Sequence, residues 1–198
     1  MRRRTGVIVN TGPVVPPAAT GPGRAVDVDG RAHVLTPLGN AVHGELSWVQ
    51  PAVFRREWQL VSERGEHLLI RGGDLTGRHC TVETPVATWA LARGWIGDVE
   101  LSEPEGRTLA RIQHRWFQGA RLEPAAGPSL VWRWHWLGNR TLEDDEGHEL
   151  LRLRWRRAFL RWEASVTLSD VARWRDDLLE LLATTFFAWL SERRSRGH

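Results

Sequence analysis

A thiol beside an imidazole is what a nucleophile and its base require, and Cys80 directly follows His79. Neighbours in a strand point to opposite faces, so adjacency alone does not make a dyad, and Cys80 reads as a half-buried free cysteine. The remaining histidines, at 33, 43, 67, 114, 135, 148 and 198, form no His-x-x-x-His pair and no standard zinc spacing. His114 and His135 are placed to meet across strands, although surface positions explain them equally well. Glu143-Asp144-Asp145-Glu146 lacks the alternating ligands of a calcium loop and reads as a solvated hairpin tip. Gly72-Gly73 and Gly119 lack the residues that would make a phosphate loop. On this reading no residue is assigned to catalysis, to a cofactor or to a metal.

One constellation points to binding. Arg111 and Arg115, Arg133 and His135, and Arg152, Arg154 and Arg156 lie at period-two positions on three candidate strands, and Arg157 and Arg161 extend the run. If those strands are neighbours in register, they make a basic face that attracts anionic headgroups or a nucleic-acid backbone. The alternative is a solvated face partly neutralised by nearby Glu and Asp.

Composition bounds these readings. All 27 basic residues are arginine, with no lysine and no tyrosine, as a GC-rich genome produces. A net charge of +3 is modest and does not by itself indicate nucleic acid. The lone cysteine excludes an internal disulfide framework and any multi-cysteine metal site. Residues 1–24, rich in Pro, Gly and Ala after Thr11, read as a flexible or extended arm with no signal-peptide core. A cytoplasmic location is the expectation.

The elements that position the arginines are hairpins. Gly65, Gly106 and Gly147 are spaced by 41 and 41. Each has a leucine five before (Leu60, Leu101, Leu142), another three after (Leu68, Leu109, Leu150), and an aromatic eleven before (Phe54, Trp95, Trp136). Strand, polar turn with glycine, strand is a β-hairpin. A weaker fourth copy runs from Val26 to Gly30 and on through Ala32–Leu35. Twelve tryptophans sit mostly in alternating patterns. Trp132, Trp134 and Trp136 face away from Val131, Arg133 and His135; Leu151, Leu153 and Trp155 face away from Arg152, Arg154 and Arg156. That opposition counts against a nucleic-acid site, which needs tryptophan and arginine on one face.

A helix of about 169–193 follows, with Ser169 and Asp170 suited to cap it. Its stretch Leu178–Leu190 is apolar almost all round, so it is buried on every side. Thirteen residues rise about 20 Å, short of a bilayer core of about 30 Å. The interior of a wide barrel suits such a helix. Glu192-Arg193-Arg194 would then complement the negative end of its dipole. The expected fold is mainly β: residues 25–198 as one closed antiparallel barrel of repeated hairpins, with one buried hydrophobic C-terminal helix.

Phe54-Arg55-Arg56-Glu57-Trp58-Gln59-Leu60, the turns through Gly65, Gly106 and Gly147, and Leu178–Leu190 together resemble the tubby C-terminal-like barrels, which include the LURP-one-related proteins and the phospholipid scramblases. The similarity spans roughly residues 40–192. It implies a closed barrel threaded by the C-terminal helix and an association with phosphoinositides or membranes. No family lipid-binding motif maps onto this chain residue by residue, and a longer hydrophobic tail, as scramblase activity would need, is missing. The expected function is a non-enzymatic binding or scaffold domain with anionic lipid headgroups as candidate ligand. A carrier or enzyme with a pocket at the barrel rim and a nucleic-acid-binding module are the alternatives.

Overall fold

The computed structural model describes residues 24–26, 32–39, 45–51, 56–72, 78–94, 97–115, 119–135, 138–158 and 161–196. Fourteen strands and two helices follow one another: β1 (Arg24–Val26), β2 (Ala32–Val34), β3 (Leu46–Val49), β4 (Glu57–Ser62), β5 (Gly65–Gly72), β6 (His79–Glu83), β7 (Thr88–Arg93), β8 (Val99–Ser102), β9 (Thr108–Arg115), β10 (Gly119–Pro124), β11 (Leu130–Trp134), β12 (Arg140–Glu143), β13 (Glu149–Ala158), β14 (Arg161–Leu168), α1 (Asp170–Arg173) and α2 (Leu178–Arg196). Strands β3 to β14 form a closed antiparallel barrel in chain order, with β14 returning to pair with β3. Closure leaves no unpaired edge in that sheet. β1 and β2 make a separate two-stranded sheet, so the weak fourth hairpin does not join the barrel.

The 41-residue spacing is the length of four strands. β4–β7 and β8–β11 are two such units. β12, β13 and β14 begin a third, which β3 completes. Gly65, Gly106 and Gly147 occupy the corresponding turns with φ of 121°, 91° and 87°, where a side chain is strained. Each unit also carries a register shift at the same place, after Leu60, Leu101 and Leu142. Bulges of this kind bend a sheet toward closure, and three of them lie at equal intervals around this one. The turns differ in length: the first closes with Ser62 opposite Gly65, and Leu60 faces Leu68, whereas the second and third hold one residue more, so Leu101 and Leu142 face Ala110 and Leu151 rather than Leu109 and Leu150. Phe54, Trp95 and Trp136 lie outside the described residues.

Alternation places the apolar set of every barrel strand inward, from Leu46 and Trp48 on β3 to Ala164, Val166 and Leu168 on β14, in one continuous core with α2. Nine consecutive helix residues, Leu181–Trp189, are all buried. A helix covered on every face and touching strands on opposite sides of the barrel occupies the lumen. Its Phe186 stacks on Trp48 of β3 with centroids 4.1 Å apart and meets Trp58 of β4 edge-on at 5.1 Å, while Trp189 packs on Trp155 of β13 at 4.7 Å. Across the lumen the helix contacts β7, β8 and β9. Twelve strands enclose more space than their own side chains fill, and α2 takes up the difference. Thr184 and Thr185 lie fully buried there, and each hydroxyl donates to the carbonyl one turn back, Glu180 and Leu181.

The segment expected as one helix from residue 169 is two. Ser169 caps α1 by accepting from the Ala172 amide at 3.2 Å. The chain then turns through Trp174–Asp177, where Arg175 grips Asp177 through two hydrogen bonds of 2.7 Å before α2 enters the barrel.

One part of the outer wall is also covered. Glu57 and Gln59 of β4 and His67 and Leu69 of β5 point outward yet are buried. Leu35 packs on Leu69, and the Thr36 amide donates to the Glu66 carbonyl at 2.7 Å. The His67 ring completes this seam. Nδ1 lies 2.8 Å from the Thr36 carbonyl, which can only accept, so Nδ1 carries the proton and Nε2 accepts from the Ser62 hydroxyl at 2.6 Å. Burial, the largest influence, pushes the His67 pKa below its ordinary value.

Candidate binding face and barrel rims

The barrel order places β9 to β13 side by side, which gives the expected basic residues a common outer surface. Arg111, Arg133, His135, Arg152, Arg154 and Arg156 are all exposed. Arg115 is at the end of β9, and its side chain, like those of Arg157 and Arg161, lies outside the described set. The inward residues beside them, Trp132, Leu151 and Leu153, are buried, so tryptophan and arginine do separate by face here. Trp134 has inward parity but sits at the rim, 61% exposed, with the Arg140 guanidinium 5.5 Å from its ring.

Carboxylates divide this surface. Arg111 stands in register between Glu100 of β8 and Glu123 of β10. Arg133 donates to Glu143 at 2.5 Å. Arg152 pairs with Glu149, and Arg156 with Glu45. The Thr141 hydroxyl donates to Glu143, so it accepts from His135 Nε2 at 2.7 Å, which fixes that ring's proton. Arg154 differs. Among the described residues it has no carboxylate partner. Arg152 and Arg156 flank it on the same face of β13, and it is in register with Ser165 of β14, itself opposite Ser47 of β3. Arg121 of β10, exposed and also without a carboxylate partner among the described residues, was not in the expected set and could have been found from its alternation with Ala120 and Leu122.

The rim at the C-terminal end of α2 holds a charge cluster. Arg140 of β12 points inward and is 4% exposed. Its Nε donates to Glu192 of α2 at 3.0 Å, its Nη2 pairs with the same oxygen, and Trp132 Nε1 donates to the other oxygen at 3.3 Å. His114 Nε2 lies 4.0 Å from that second oxygen. Glu192 is therefore held by the barrel wall, not merely oriented by the helix dipole. His114 and His135 do not meet: β10 separates their strands, and His114 faces the helix while His135 faces out.

Elsewhere the polar residues are committed to local structure. The Asp144 carboxylate accepts from the amides of Glu146 and His148, and those bonds hold its pKa below the usual range. His79 and Cys80 are neighbours on β6, and Cys80 lies partly buried against the core. Among the described residues no group of three His, Cys, Asp or Glu side chains is placed to hold a metal ion, and no helix is long and apolar enough to cross a membrane. The chain matches no protein-family model, no curated protein and no solved structure.

Proposed function

We propose that this chain is a non-enzymatic binding module of the tubby-like kind, which meets anionic lipid headgroups through the outer face of β13 and its neighbours. The carrying observation is Arg154: an exposed guanidinium with no carboxylate partner among the described residues, between two arginines and in register with a serine. Such an array offers fork-shaped donors to phosphate oxygens. The plugged lumen supports the reading, because α2 occupies the space where an open barrel of this size would take a ligand. A closed barrel around a C-terminal helix is also what the family resemblance implies.

Sedimentation with phosphatidylcholine vesicles, with and without phosphatidylserine, tests it. The chain is expected to pellet with the anionic vesicles at low salt and to be released at high salt. A basic residue near such a surface contributes about 1 kcal/mol, so Arg154→Glu should weaken binding by roughly thirtyfold. Arg107→Glu, the same charge change at the β8–β9 turn, should weaken it far less. Absence of binding at low salt, or equal loss from both variants, refutes the proposal.

A further inference from the structure

The two ends of the barrel differ in charge. Arg56, Arg93, Arg115, Arg157, Arg161 and Arg193 lie at the end where α2 leaves, beside the start or finish of a strand or at the end of the helix. Glu103, Glu105, Asp144, Asp145, Glu146 and Asp176 lie at the end where α2 enters. Some opposite charges sit at each end, but they are engaged. At the exit rim the Asp98 carboxylate accepts from the His114 amide at 2.9 Å, and Glu192 takes Arg140 and Trp132. At the entry rim Arg107 is paired with Glu103. The dipole of α2 accounts for Arg193 and Asp176, because its influence fades within a turn of each end. It does not account for Arg56 and Arg93, or for Glu105 and Asp145, which sit on separate hairpins. The exit rim also presents aromatic surface: Trp134 is 61% exposed, and the exposed Arg193 lies 4.5 Å from the centre of the Trp155 ring.

We infer that the barrel stands end-on on an anionic bilayer, its exit rim against the headgroups, the Trp134 ring in the interfacial layer and its entry rim turned away. Both rims set this orientation. An anionic surface attracts the arginine end and repels the acidic end, and its potential fades within a Debye length of about 10 Å. The ten residues of β13 span roughly 25 Å along a tilted strand, so the entry-rim acids lie beyond that reach when the exit rim is down. The opposite orientation would press them against the lipid. Tryptophan suits the boundary, because its ring is apolar and its N–H is polar. The inference deepens the lipid reading above and rests on it. β13 ends at the exit rim, so Arg154 stands roughly 10 Å above that rim, still within the surface potential.

Depth-resolved fluorescence on the full chain tests the inference. A bimane is attached through His135→Cys at the exit rim, Thr167→Cys on the wall beside Arg152, or Glu105→Cys at the entry rim, each together with Cys80→Ser. The vesicles are phosphatidylcholine and phosphatidylserine with brominated acyl chains. At low salt the label at 135 is expected to shift to the blue and be quenched, while those at 167 and 105 stay unchanged. In sedimentation, Trp134→Ala should weaken binding about tenfold, the order expected from burying a side chain of that size. Arg193→Glu should weaken it roughly thirtyfold. Quenching at 167 without quenching at 135 lays the wall on the bilayer; it overturns the inference and leaves the lipid reading standing. Equal quenching at 135 and 105, or no loss of binding in either variant, also overturns it. A blue shift at 135 that grows with protein concentration and needs no vesicles assigns the rim to the acidic end of a second copy instead. Failure to bind anionic vesicles at all refutes both readings.

Discussion

Replacing Arg140 with methionine is expected to loosen the barrel's hold on α2. Removing one partner of a fully buried pair costs about 3–5 kcal/mol, because the remaining charge is stranded. Here the Arg140 side chain is 5% exposed and that of Glu192 is 18% exposed. Water therefore relieves part of the penalty, and about 2–3 kcal/mol is the expected loss from the pair. The contact with Trp134 adds about 0.5–1 kcal/mol, for a total of about 3 kcal/mol. Urea unfolding followed by tryptophan fluorescence reads this directly. With a slope of about 2–3 kcal/mol/M, the midpoint falls by roughly 1 M. Glu192→Met alone should cost a similar amount, since it strands the arginine. The double variant Arg140→Met/Glu192→Met should return to within about 1 kcal/mol of the parent, because two apolar side chains can replace a buried pair. If Arg140→Met costs less than about 1 kcal/mol, or if the two single losses simply add, the pair does not fasten the helix.

Further expectations follow from single residues. Phe186→Ala should cost about 3–5 kcal/mol in the same urea assay, because it empties the lumen beneath the Trp48 ring; a loss near zero would mean the helix is not packed there. Gly147→Ala should cost about 1–2 kcal/mol despite open space around it, since the strain lies in its positive φ; Gly106→Ala should match it. His67 has a folded pKa below its unfolded 6.5, so its contribution to stability is complete above that pH and is lost as pH falls through the folded value. Melting temperatures between pH 7 and pH 5 should show this fall, and His67→Gln should flatten it; an unchanged slope in the variant would place the titration elsewhere. Burial, helped by Asp177, pushes the Glu180 carboxyl above its usual 4.5. Its ionisation therefore costs stability as pH rises through that window, and Glu180→Gln should stabilise the chain at neutral pH and not at pH 4. Equal effects at both values would refute that origin.

The barrel could be read from the sequence because its rules are local. Period-two alternation separates Leu151 and Leu153 from Arg152 and Arg154 without knowledge of their neighbours, and a run as uniformly apolar as Leu178–Leu190 fits only where every face is covered. The repeat of glycine turns carried the hairpins, but the extra residue in the second and third turns was invisible, so Leu109 and Leu150 were matched to Leu68 in place of Ala110 and Leu151. What could not be read depends on contacts distant in sequence. Arg140 shares the inward parity of Leu142, but only the arrival of Glu192, 52 positions on, explains how a charged side chain stays buried there. His67 looks like one scattered histidine until Thr36, 31 positions earlier, is placed against it. The carboxylates that divide the arginine face follow the same logic: Glu45 reaches Arg156 only because β14 returns to β3.

The position of α2 in the chain has a consequence for how the fold is reached. The helix that fills the lumen comes after all twelve barrel strands. Each hairpin can form as it leaves the ribosome, since its partners are a few residues apart, but the inner faces of those hairpins have nothing to pack on until residues 178–196 have been made. Trp48, among the earliest core residues, waits for Phe186. During synthesis the chain is therefore a growing, open sheet with a continuous apolar side, the kind of species that aggregates. Closure between β14 and β3 and capture of the helix then happen nearly together and late, which makes folding slow for a chain of this size. An incomplete chain that ends before α2 is not a smaller version of this protein but a sheet with an uncovered interior.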